Sequence, residues 1–147
     1  MNLFITKLTL FVNRLLVLVM AALLFILPPM LDWYVNIRPL TGQAAKLAIL
    51  IGFYCCAAAV FPALWELDAL LRNILGREIF ISRNVTAIRR VRWYCMAVSA
   101  ICLPAAFFYQ PLIFLVIIMF FLALILSVLG EVMAAAVEIR EENDLTV

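Results

Sequence analysis

The chain has 147 residues, of which 69% are hydrophobic and 14% charged, against roughly 45–50% and 25% in soluble globular proteins. That composition excludes an ordinary water-soluble globule. The net charge of +2 and the absence of histidine leave no bulk charge for binding a polyanion and no imidazole for a mixed zinc site.

A membrane-crossing helix needs about 20 apolar residues, and four runs meet or approach that length. The first is expected over residues 15–34, with Arg14 at one interface and Trp33 and Tyr34 at the other. Pro28 and Pro29 predict a kink or an end near Leu27, unless a neighbouring helix satisfies the carbonyls they free. The run is longer than a signal-peptide core and no small-x-small cleavage pattern precedes the prolines, so it is expected to stay attached. Residues 36–45, with Pro39, Thr41 and Gly42, read as an external loop.

The second span is expected over 47–65. Its helical pattern continues through Leu67, Leu70 and Leu71 to a stop at Gly76, and Asp68 and Arg72 lie four apart on that extension. A polar loop over 66–92 follows, in which Ser82 or Asn84 can cap a new helix. From there Val85, Ile88 and Val91 share one side, while Arg83, Arg89 and Arg90 take the other. The third span, 93–109, is short, and the uncharged turn at Gln110 and Pro111 makes it the antiparallel neighbour of the fourth, 111–130. Past Gly130 the helix pattern persists, and Gly130, Ala134 and Ala135 offer a small-residue seam between Glu131 and Glu138.

Charge fixes the expected topology. Nine of the eleven Lys and Arg residues, Lys7, Arg14, Arg72, Arg77, Arg83, Arg89, Arg90, Arg92 and Arg140, fall on one side of the four spans, and cations in short loops stay in the cytoplasm. The expected fold is therefore an all-α, four-helix transmembrane bundle of one domain, with both termini cytoplasmic. Asn84-Val85-Thr86, a glycosylation pattern, then lies on the wrong side of the membrane to be used. The loop 66–92 holds six arginines against three acids, net +3, and the tail 138–147 holds four acids against Arg140, net −3, so contact between them is expected.

The chemistry expected is sparse. No Ser/His/Asp set, phosphate-binding glycine loop or paired mid-membrane acids is visible, which predicts a non-enzymatic protein with no catalytic residue, cofactor or metal. Cys55 and Cys56 are adjacent, and Cys95 and Cys102 are seven apart. A thiol enzyme would need one of each pair to approach within about 7 Å between α-carbons. Counted from Pro111, Glu131 sits at the inner interface, where pairing with Arg14, Arg90 or Arg92 is expected; a proton-coupled role would need much greater depth.

Two stretches carry specific sequence: Arg77 to Trp93, REIFISRNVTAIRRVRW, and Gly130 to Val147, GEVMAAAVEIREENDLTV. With four spans of this spacing they resemble the bacterial membrane-protein family catalogued as domain of unknown function 2975, along nearly the whole chain. In that family an aromatic residue, Phe80 here, leads through an Asn, Asn84 here, into a basic helix start, and the chain closes on an acidic stretch ending as Asp144 to Val147 does. The resemblance implies a multi-pass inner-membrane protein without established catalysis, often encoded beside a helix-turn-helix regulator. The expected role is thus an interaction module whose docking surface is Arg77, Phe80, Asn84, Arg89, Arg90, Glu141, Glu142 and Asp144, with Arg14, Arg92 and Glu131 as an ion-paired group. Direct nucleic-acid binding is not expected. The alternative is a small oligomeric transporter or channel that uses Glu131 and Glu66.

Overall fold

The computed structural model describes residues 3–37 and 43–146, and these form four α-helices: α1 Leu3–Ile37, α2 Gln43–Leu75, α3 Ser82–Phe108 and α4 Leu112–Leu145. Residues 38–42, the middle of the expected external loop, lie outside the described residues. Three of the helices, α1, α2 and α4, are long and apolar enough to cross a membrane, yet only 6%, 6% and 11% of their most apolar windows are buried within the protein. Lipid is the solvent those faces require.

α3 is not among these three, and it has a helix on either side. It lies between α2 and α4, and Val85, Ile88, Val98, Cys102, Ala105 and Ala106 on its two sides are buried. Its apolar part, Trp93–Phe108, is about 24 Å long at 1.5 Å per residue.

All three connections make antiparallel neighbours. Asn13 and Tyr54 of α1 and α2 bond Leu64 and Leu24 of each other's helices, Cys56 and Glu66 of α2 meet Cys102 and Arg90 of α3, and Ser99 and Arg89 of α3 meet Val116 and Glu131 of α4. Each helix touches only its chain neighbours among the described residues, in the order α1, α2, α3, α4. The bundle expected from sequence is therefore an open row, with no α1–α4 contact to close a ring. Because lipid covers an outer helix face as well as a fourth neighbour would, closure gains nothing from the hydrophobic effect.

Pro28 and Pro29 do not end α1, which runs unbroken to Ile37. Pro28 cannot donate to the Leu24 carbonyl four residues back, and the Tyr54 hydroxyl of α2 donates to that carbonyl instead at 2.9 Å. α2 ends at Leu75, with Gly76 the stop expected, and the left-handed residue is the one that follows. Arg77 adopts φ 63, and the Glu78 and Arg77 amides donate to the Asn73 and Ile74 carbonyls, a Schellman closure with arginine where glycine is commoner.

On α4 the residues Val116, Ala123, Gly130 and Val137 are buried at seven-residue intervals, the period of a left-handed coil against α3. The small members set the spacing. A Cβ added at Gly130 would lie 3.6 Å from Ile88 Cγ2 and 3.7 Å from Arg89 Cγ, so α3 approaches at Gly130 as the seam predicted, while Ala135, expected on the same seam, is exposed.

Candidate functional site

The groups with chemistry gather at the arginine-rich end of the helices. Asn84 organises it. Predicted as a cap, it caps nothing: Ile81 occupies the N-cap position in extended backbone, and neither Ser82 nor Asn84 makes a capping bond. One turn into α3, Asn84 instead points inward with 0% exposure. Its Nδ2 donates to the Glu78 and Ile79 carbonyls, both at 2.8 Å, and its Oδ1 accepts from Asn73 Nδ2 at 2.8 Å. Every strong polar site of the amide but one lone pair is used, and the α2–α3 connection is tied to both helices by one side chain.

Ion pairs extend the frame. Arg89 and Arg90 are adjacent on α3, so a helical turn of about 100° sends them to different neighbours. Arg89 meets Glu131 of α4 at 3.3 Å and Arg90 meets Glu66 of α2 at 2.7 Å. The Glu66 carboxylate holds the Arg90 guanidinium still more firmly protonated, by hydrogen bond first and by charge second. From α4, Arg140 donates to the Phe80 carbonyl at 3.2 Å. Tail and loop thus touch as their opposite charges suggested, but through the tail's lone arginine and a backbone oxygen.

The predicted ion-paired group is not assembled as expected. Arg14 lies on α1, two helices away from α4, and binds Asp68 at 3.2 Å; Asp68 also takes Arg72 at 2.8 Å, the expected i, i+4 pair. Arg92 lies over the Trp93 ring at 5.3 Å. Glu131 takes Arg89 and keeps 69% of its side chain exposed, and Glu66 pairs with Arg90.

Of the predicted docking residues, Arg77, Phe80, Glu141, Glu142 and Asp144 are exposed. Among the described residues none of the four charged ones makes an ion pair. Asn13, Asn73 and Tyr54 carry no motif in the sequence; Asn13 and Asn73 stand beside Arg14 and Arg72 and Tyr54 in an apolar run, and only the folded neighbours reveal their partners.

Inside the membrane-length region, Cys56 and Cys102 bring their sulfurs to 3.3 Å across α2 and α3, beside Val98 and Val116. Both are free thiols. A disulfide between them requires the sulfurs to close to roughly 2.05 Å. Treatment with a membrane-permeant oxidant is expected to remove two hydrogens from the wild-type mass within one chain, and Cys102→Ser to abolish that product; persistence of an intrachain bond in Cys102→Ser would assign it elsewhere.

A family model described as protein of unknown function, DUF2975, matches residues 32–147. The match covers α2, α3, α4 and the end of α1, a shorter reach than the resemblance suggested, and includes the whole Asn84 network and the α3–α4 seam. No curated protein and no solved structure matches the chain.

Proposed function

The chain belongs to the DUF2975 family, and we propose that it is a non-enzymatic inner-membrane protein of four spans, both termini cytoplasmic, that docks a soluble partner. The platform is the arginine-rich end, and a helix-turn-helix regulator is the class of partner the family suggests.

One observation carries this reading: the inward polar groups of that end are used up holding it together, while a second set faces outward unpaired. Asn84, Arg89, Arg90 and Arg140 fix the loop and α4 in place. Arg77 and Arg83 on the loop side, and Glu138, Glu141, Glu142 and Asp144 on α4, are exposed and make no ion pair among the described residues. Ordering charged side chains on a rigid frame lowers the entropy lost on binding and gives electrostatic selectivity. α4 also exposes Ile139, 60% accessible, about 13 Å beyond Gly130 along the helix. Lipid does not reach that far past the expected membrane edge, so a protein surface is the natural cover.

The test compares the full chain with one ending at Arg140, both affinity-purified from native membranes. The full chain is expected to retain a soluble partner that the shortened chain releases, with membrane insertion equal for the two. Equal capture by both chains would overturn the role given to the acidic tail. Reporter fusions placing Asn84 outside the cell would overturn the topology.

A further inference from the structure

Near the arginine-rich end, a groove of about 660 Å³ opens between α1 and α2, walled by Val17, Leu18, Phe61 and Trp65. Asn13, Arg14 and Asp68 form its polar corner. Asn13 is only 2% exposed; its Nδ2 donates to the Leu64 carbonyl at 3.1 Å. Its Oδ1 has no partner, and among the described residues it is the one buried side-chain polar atom so placed. An acceptor in such a position calls for a donor. Beside it, Asp68 is shared by Arg14 and Arg72, so the corner holds one positive charge in excess, and the Arg14 side chain remains 61% exposed.

Three requirements therefore meet at one place: an N–H or O–H donor for Asn13, an anion for the surplus guanidinium charge, and hydrocarbon for the walls. A water molecule meets the first, a free phosphate the second, an acyl chain the third. A phospholipid with a primary ammonium head group meets all three. We propose that the groove binds one ethanolamine-type phospholipid. The phosphate sits on Arg14, the ammonium donates toward Asn13 Oδ1 and the Asp68 carboxylate, and the acyl chains run along Val17, Leu18, Phe61 and Trp65. The site is independent of the docking platform, since none of its residues is among the side chains that brace that platform or among its exposed unpaired charges.

Head-group chemistry supplies the test. Choline carries the same charges as ethanolamine but no N–H donor, and a glycerol head group carries hydroxyl donors but no cation. The full chain, purified in mild detergent, is offered phosphatidylethanolamine, phosphatidylcholine and phosphatidylglycerol with identical acyl chains, and bound lipid is counted by native mass spectrometry. One phosphatidylethanolamine is expected to be retained, about tenfold better than phosphatidylcholine, as one charge-assisted hydrogen bond allows; Asn13→Leu removes that preference, and Arg14→Gln weakens retention of the lipid. Equal retention of the ethanolamine and choline lipids would reduce the groove to an acyl-chain surface and overturn the proposal. Preference for phosphatidylglycerol would reduce it to a charge effect, with the same result. The wild-type head-group comparison needs no variant, so the proposal stays decidable even where Asn13→Leu fails to fold.

Discussion

Replacing Asn84 by alanine is expected to destabilise the protein by about 3 kcal/mol, because three groups lose their partner at a site with 0% exposure. The Asn73 amide and the Glu78 and Ile79 carbonyls each lose a 2.8 Å bond. For a chain of this size the thermal midpoint in detergent should fall by roughly 10 °C. Aspartate distinguishes hydrogen bonding from size. Asn84→Asp keeps the acceptor for Asn73 but sets a carboxylate oxygen against two carbonyls, so it is expected to be at least as damaging as alanine. Asn73→Ala removes a single donor and should cost about 1 kcal/mol. Circular dichroism melts of the three variants check the order. A wild-type midpoint for Asn84→Asp would show that the amide is not what ties the connection down.

What the sequence made legible follows from the physics of lipid. Runs near 20 residues long must be helices that cross or lie buried, so the helices, their order and the tight Gln110–Pro111 connection could be read directly. Which helices touch could not. A face turned to lipid and a face turned to another helix are both apolar, and nothing in the α1 pattern says that it meets α2 alone. Only small or polar residues mark an interface in this medium, and there the reading was partial. Gly130 and Ala134 announced the α3–α4 seam, whereas Asn84 at a helix start looked like a cap. The difference lies in Asn73, eleven residues earlier, which becomes visible as a partner only when the α2 end and the α3 start are folded together. The same holds for Pro28, whose effect on α1 depends on Tyr54. Glu131 was expected to pair with Arg14, Arg90 or Arg92, but its partner is Arg89, and the one step on the helix between Arg90 and Arg89 changes the neighbour faced from α2 to α4.

Substitutions at Gly130 should separate space from flexibility at the seam that joins α4 to α3 beneath the proposed docking platform. A built Cβ there meets Ile88 and Arg89 at 3.6 and 3.7 Å, ordinary contact distances, and α4 is helical on both sides of it. Gly130→Ala is therefore expected to stabilise the protein by about 0.5–1 kcal/mol, since alanine loses less chain entropy in a helix and its methyl finds room. Leucine has no such room. Its branch must enter the space held by Ile88, which is 4% exposed and fully packed, and overpacking of this kind costs about 1–3 kcal/mol. The strain falls between Arg89–Glu131 and Arg140–Phe80, so pushing α4 away from α3 should also loosen the acidic tail. Gly130→Leu is then expected to melt roughly 5–10 °C below the wild type and to lose a tail-dependent partner, while Gly130→Ala melts slightly above it and keeps that partner. A leucine variant as stable as the wild type would mean that α3 and α4 do not approach closely at this point, and the platform would need another anchor.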